Sequence, residues 1–196
     1  MLSQSLPSSP HPGPTVVLCG PMGSGKSSVG RALARRWQLV TLDTDEEVET
    51  TAGKSVTEIF ADAGEARFRE LEREAVSRAM ECHDGIVALG GGAVLDLTTR
   101  TALGRYAAAG GIIVFLDVTA PVAAERIARA ATRPLLAGDP DRWQLVADDR
   151  HPVYEQVSTL QVLTDDFTPD GVAAEIERLL QVARTAAVGS TPGQAP

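Results

Sequence analysis

Cysteine is scarce in this chain. Among 196 residues only Cys19 and Cys82 occur, with no Cys-x-x-Cys pair, so each is expected to be a small buried apolar residue rather than a reactive thiol. Histidine is scarce as well. His11, His83 and His151 lie far apart and form no metal-ligand spacing. Long apolar runs are missing: the first 25 residues carry no Lys, Arg, Asp or Glu, but Pro, Ser and Gly interrupt them, leaving no segment of about 20 apolar residues to span a bilayer. The basic and apolar regions of a secretory signal are absent too, and a reducing cytoplasm is the expectation. Positive charge is in deficit, 18 Lys and Arg against 26 Asp and Glu for a formal −8. That balance argues against broad nucleic-acid or anionic-membrane binding, while a local cluster of arginines can still hold a small anion.

What is present is an ordinary globular composition, 43% hydrophobic and 22% charged, in a length that suits one domain. Residues 1–14 and 187–196 are rich in turn formers and are expected to be disordered tails around a folded part at 15–186. Within it five β-branched or aliphatic runs recur, TVVLC at 15–19, LVTLD at 39–43, GIVAL at 85–89, IIVFLD at 112–117 and LQVLT at 160–164. They are continuous rather than alternating, as strands covered on both faces are. Helical patterns fall between them at 26–37, 45–51, 55–63, 65–82, 98–106, 121–130 and 170–184. In the 65–82 segment Phe68, Leu71, Ala75, Ala79 and Cys82 form one apolar stripe. Pro152 is expected to break a helical stretch that leads up to Arg150. Alternating strands and helices predict βαβ units, hence an α/β fold with helices on both faces of a five-stranded parallel sheet.

Directly after the first run comes Gly20-Pro-Met-Gly-Ser-Gly-Lys-Ser27, then a helical pattern. This is a full match to the phosphate-binding G-x-x-x-x-G-K-[ST] loop in its required context. Its glycines let successive N–H groups and the helix N-terminus face a polyphosphate, Lys26 adds a cation and Ser27 a hydroxyl for Mg²⁺. A nucleoside triphosphate with Mg²⁺ is the base reading. No N-K-x-D segment for reading guanine follows a later strand.

Leu42-Asp43-Thr44-Asp45 places two carboxylates where a strand ends and a helix starts. Asp43 suits waters on Mg²⁺ and Asp45 an acceptor hydroxyl, while a plain helix cap fits the same residues. In Gly64-Glu65-Ala66-Arg67-Phe68-Arg69-Glu70-Leu71-Glu72, Arg69 and Glu72 stand three apart and can pair with each other and with Glu65, a pattern that a solvated charged face shares. Leu89-Gly-Gly-Gly-Ala-Val94 is either a close approach of backbone to ligand or a flexible turn. Arg126, Arg129 and Arg133 precede Pro134 and a loop; they fit a cationic lid over a phosphate or the complement of a helix C-terminus.

Taken in order, GPMGSGKS at 20–27, LDTDEEVE at 42–49, GEARFRELE at 64–72, LGGGAV at 89–94, TRPLL at 132–136 and RHPVYEQVS at 150–158 resemble the shikimate kinase family over nearly all of 15–184. The resemblance implies a P-loop, nucleoside-monophosphate-kinase-like fold and ATP-dependent phosphorylation of the shikimate 3-hydroxyl, a step toward chorismate and the aromatic amino acids. It implies that Gly23, Ser24, Gly25, Lys26, Ser27, Ser28, Arg126 and Arg133 serve the nucleotide, with Arg126 near the adenine and Arg133 a lid arginine at the transferring phosphate, in a lid at about 129–142. Ser27, and Asp43 through water, would hold one Mg²⁺. Asp45 would bind acceptor hydroxyls and act as base, with Lys26 and Arg133 as the other catalytic groups. Arg69, Arg150, Gly91 and Gly92 would hold shikimate, the two arginines at its carboxylate, with Glu72 supporting them from behind. A planar guanidinium fork suits a carboxylate, and a buried one needs a carboxylate to hold it in place. A small-molecule partner, no nucleic acid or membrane, and a monomeric state complete the expectation. The alternatives are another small-metabolite kinase of this fold, such as a gluconate kinase, and a non-catalytic nucleotide-dependent binding module.

Overall fold

A computed structural model describes residues 13–129 and 140–189. The expected tails and lid fall in large part outside the described residues, and Arg133 with them.

The chain runs β1 (Val16–Cys19), α1 (Lys26–Trp37), β2 (Thr41–Asp43), α2 (Thr44–Ala52), α3 (Val56–Cys82), β3 (Ile86–Ala88), a 3₁₀ turn (Ala93–Leu95), α4 (Leu97–Ala108), β4 (Ile113–Asp117), α5 (Ala120–Arg129), α6 (Pro140–Val157), β5 (Leu160–Leu163) and α7 (Pro169–Gly189). The strands form one sheet in the order β2-β3-β1-β4-β5, and every pairing is parallel. β2 and β3 lie on one side of β1 and β4 and β5 on the other, which makes the carboxyl end of β1 the switch point where doubly wound sheets take ligands.

Both faces of the sheet are covered, which is why the central runs are apolar throughout. Val16, Leu18, Ile86, Val114 and Leu116 pack against Val29, Leu33 and Trp37 of α1 and Val172, Ala173 and Ile176 of α7. Val17, Val87, Ile113 and Phe115 face Val76, Ala79, Leu103, Tyr106, Tyr154 and Val157. The edge strands differ. In β5 only Val162 is buried, while Gln161 and Leu163 are exposed. A smaller cluster of Val48, Ile59, Phe68, Leu71 and Ala75 locks α2 onto α3.

The two helices expected at 55–63 and 65–82 meet at Gly64, whose φ of 77° and ψ of 175° break α3. The first piece opens with a capping box between Ser55 and Glu58. Three expectations need correction. Pro152 does not break its helix, which continues to Val157: a proline costs one backbone hydrogen bond, and Tyr154, stacked on Phe115 with centroids 5.2 Å apart, holds the following turn to the sheet. Cys82 is exposed, because the apolar stripe ends at Ala79, and only Cys19 is buried. The last helix extends to Gly189, past the expected Arg184. At the other end Pro14 is already buried, with its carbonyl accepting from Tyr106 Oη at 2.9 Å. Among the described residues no helix is long and apolar enough to cross a membrane.

Candidate active site

The carboxyl ends of the strands deliver the motifs to one edge. β1 leads into the glycine loop, β2 ends at Asp43, and β3 is followed by the triple glycine. The loop's first glycine is required by its surroundings: Gly20 has φ 142°, and a Cβ there would sit 2.3 Å from the Leu116 carbonyl oxygen of β4. Gly25, at φ 92°, brings no side chain to cap α1, and N–H groups at such a helix end can serve an anion. Lys26 Nζ donates to the carbonyls of Gly20 (2.8 Å) and Pro21 (2.9 Å), which folds the ammonium back over the loop.

A cavity of about 510 Å³ lies over this helix end, lined by Gly23 to Val29, Asp43, Asp45, Arg126, Ile127, Thr164, Phe167 and Pro169. All eight positions expected to serve the nucleotide, save Arg133, are in that lining. Arg126 spans from the loop to the turn after β5, donating to Gly23 O at 3.3 Å, Thr164 Oγ1 at 2.8 Å and Thr164 O at 2.6 Å. Arg129 instead pairs on the exposed surface with Glu125.

Asp43 uses both of its carboxylate oxygens. Its Oδ1 accepts from the Asp45 backbone N–H at 3.0 Å and so caps α2, while its Oδ2 accepts from Ser27 Oγ at 2.5 Å. A hydroxyl beside a carboxylate, facing a phosphate cavity, is the oxygen-only donor set that Mg²⁺ takes when most of its shell is water and phosphate. Among the described residues no group of three or more His, Cys, Asp or Glu is placed to hold a metal ion.

A second cavity, about 370 Å³, adjoins the first and is lined by Val56, Phe60, Phe68, Arg69, Glu72, Gly91, Gly92, Trp143 and Arg150. Met22, Lys26, Asp45 and Glu46 line both cavities. Arg69 Nη1 donates to Glu72 Oε2 at 2.6 Å, and its Nε and Nη2 reach Glu65 at 3.3 and 3.2 Å. The Arg69–Glu72 pair is no solvated face, because Glu72 is 3% exposed. Burial pushes the Glu72 carboxyl above the ordinary glutamate range, with Arg69 and Arg150 pulling against it. At Arg69 burial works against the charge, yet Glu72 and Glu65 outweigh it and raise the guanidinium pKa. Arg150 is oriented by a different partner, donating to Gly91 O at 3.3 Å.

The triple glycine packs close against side chains of the site. A Cβ on Gly90 would lie 2.4 Å from Asp45 Oδ1 and 2.7 Å from Glu72 Oε1, and one on Gly92 would lie 2.3 Å from Arg69 Nη1. Three residues that hold the site were not singled out by sequence reasoning. Thr44, fully buried, accepts from Gly90 N–H at 2.8 Å; Tyr154 Oη donates to Gly91 O at 2.5 Å; Trp143 Nε1 donates to Met22 O at 3.0 Å. Thr44 stood inside the D-x-D segment, where a threonine reads equally as a cap residue, and Tyr154 stood at the end of a quoted motif. Trp143 lay outside every motif.

The comparisons with known proteins agree with this geometry. The family model described as shikimate kinase matches residues 22–181. The shikimate kinase of Salinispora arenicola is 48% identical over 168 residues, covering 85% of this chain and 98% of the relative. That of Thermobifida fusca is 45% identical over 171 residues, with 87% and 96% covered. Among solved structures, a shikimate kinase from Acinetobacter baumannii in complex with shikimate superposes with a TM-score of 0.80 at 29% identity, covering 88% of this chain and 94% of that one. A gluconokinase from Sinorhizobium meliloti matches with a TM-score of 0.58 at 22% identity, covering 92% and 98%, a likeness of fold alone.

Proposed function

The chain belongs to the shikimate kinase family, and from that premise we propose that its adjoining cavities hold ATP and shikimate with Asp45 and Lys26 at their junction. The reaction is ATP-dependent phosphorylation of the shikimate 3-hydroxyl, giving shikimate 3-phosphate and ADP on the way to chorismate and the aromatic amino acids. The observation that carries the assignment of residues is that Lys26 and Asp45 line both cavities.

Phosphoryl transfer asks mainly for positioning and charge neutralisation, and the site residues divide accordingly. Arg69 and Arg150 take the shikimate carboxylate, Arg69 held by Glu72 and Arg150 by Gly91 O. The backbone at Gly91 and Gly92 approaches the ring because no side chain intervenes. Asp45 accepts a hydrogen bond from the acceptor hydroxyl and takes its proton as the oxygen attacks. Lys26 offsets charge on the transferring phosphoryl oxygens, the loop N–H groups and the α1 N-terminus hold the remaining phosphates, and Arg126 lies at the base end of the nucleotide cavity. Mg²⁺, when bound with the nucleotide, would be held by Ser27 and through water by Asp43, and would neutralise phosphate charge. Arg133 is assigned to the transferring phosphate on the family resemblance. A cytoplasmic, monomeric enzyme belongs to the same proposal.

ADP release from ATP and Mg²⁺, measured with shikimate, with gluconate and with no acceptor, tests the function. Release that depends on shikimate is the expected result. Release that depends on gluconate would overturn the acceptor, and release indifferent to any acceptor would overturn the kinase reading.

A further inference from the structure

Four consecutive carbonyls of the phosphate loop each meet a side-chain donor. Lys26 takes those of Gly20 and Pro21 at 2.8 and 2.9 Å, Trp143 takes that of Met22 at 3.0 Å, and Arg126 takes that of Gly23 at 3.3 Å. A free carbonyl oxygen in this loop would turn its partial negative charge toward the polyphosphate, so each donor favours the conformation that offers N–H groups instead. Lys26 and Arg126 belong to the nucleotide site already described. Trp143 comes from the first turn of α6, 121 positions along the chain from its partner.

The tryptophan is 4% exposed and packs with Met22, Val118, Ala123 and Ile127. Its side chain also forms part of the acceptor cavity wall and borders a separate cleft of about 270 Å³ lined by Phe115, Asp117, Gln144 and His151. Cavities border the ring on two sides, and the bond from the indole N–H to Met22 O adds a directional contact to the packing.

We infer that Trp143 is a positioning residue for phosphoryl transfer: from the wall of the acceptor cavity its indole N–H holds the Met22 carbonyl and so keeps the phosphate loop in its nucleotide-binding conformation. The inference rests on the kinase reading for the identity of the two ligands, while the contact between Trp143 and the loop stands apart from it. A residue on the acceptor side therefore governs affinity on the nucleotide side.

Two full-length variants separate the donor from the ring. Replacing Trp143 by 3-benzothienylalanine keeps the bicyclic shape and puts sulfur where the N–H was, and Trp143→Leu removes the wall as well. The isostere is expected to bind MgADP about fivefold more weakly, the usual worth of one hydrogen bond, and to show a raised KM for MgATP with shikimate affinity unchanged. The leucine variant is expected to weaken both ligands. MgADP affinity unchanged in the isostere, or equal losses for both ligands accompanied by a lower melting temperature, would overturn the inference. Should the wild-type chain fail to phosphorylate shikimate, the functional reading fails, and the MgADP affinities still decide whether Trp143 holds the loop.

Discussion

Arg69 and Glu72, three residues apart on α3, meet with Nη1 2.6 Å from Oε2, and the carboxylate in that pair is buried. The pair is where the acceptor site and the fold depend on each other. Glu65 holds the exposed side of the same guanidinium, so the fork is fixed from two directions before any substrate arrives.

Breaking this pair from either side has different consequences. Arg69→Ala removes a substrate-facing group and leaves Glu72 buried without its partner, a situation that typically costs about 3 kcal/mol of stability or more. Shikimate KM is expected to rise at least about tenfold for the same reason, a desolvated charge losing its match. Glu72→Gln keeps a hydrogen-bond acceptor for Arg69 and should raise shikimate KM less than Arg69→Ala. Steady-state kinetics with shikimate and urea unfolding check both; unchanged shikimate kinetics in Arg69→Ala would contradict the assignment of Arg69.

The triple glycine predicts an order of tolerance. Gly91→Ala meets no protein atom nearer than 3.7 Å and is expected to fold as the wild type does, with a modest rise in shikimate KM where the methyl group borders the ring. Gly92→Ala puts a methyl group 2.3 Å from Arg69 Nη1, which must move, so its defect falls on shikimate KM. Gly90→Ala displaces both Asp45 and Glu72 and is expected to lower kcat as well. A Gly91 variant worse than the other two would contradict the close-packing account.

The two cysteines should behave as opposites. Burial pushes the Cys19 thiol up to about 12, and Cys82 is exposed. A thiol-specific reagent at pH 8 is expected to modify one cysteine per native chain and both after unfolding, since the thiolate is the reactive species. The sign of the pH effect follows from linkage: a group whose folded pKa is raised contributes its full stability below the unfolded value near 9.0 and loses it as pH climbs toward 12. Burial likewise pushes Tyr106 to about 12. Stability should therefore fall with pH above about 9, and Cys19→Ala should flatten the early part of that slope in urea midpoints measured from pH 8 to 10.5. A slope unaffected by Cys19→Ala would contradict the burial argument.

The parts of the molecule that read clearly from sequence are those where one local requirement dominates. β1, β3 and β4 announce themselves as unbroken apolar runs because helices cover both faces, and Gly64 separates two periodic patterns because the backbone breaks there. The phosphate loop is legible because few other needs put Lys26 and Ser27 after those glycines. Where two explanations share one residue, sequence alone left them open. Asp43 proved to be both cap and partner of Ser27, and Arg69–Glu72 was indistinguishable from a surface pair until burial was known. Long-range partners were out of reach altogether. Thr44 beneath Gly90, Tyr154 on Gly91 and Trp143 on Met22 join segments 46, 63 and 121 positions apart, and no spacing rule links them. Pro152 shows the converse, a local breaker overruled by Tyr154 packing on Phe115.

The junction of the two cavities is the centre of this account, and Asp45→Asn tests it most directly, with MgADP binding and shikimate-dependent ADP release measured on the same protein. Asparagine keeps the shape and removes the base, so nucleotide affinity should stay within about twofold while turnover falls about 10²- to 10⁴-fold, the range a positioned proton acceptor supplies. Turnover within tenfold of the wild type would show that Asp45 is not the group that takes the proton.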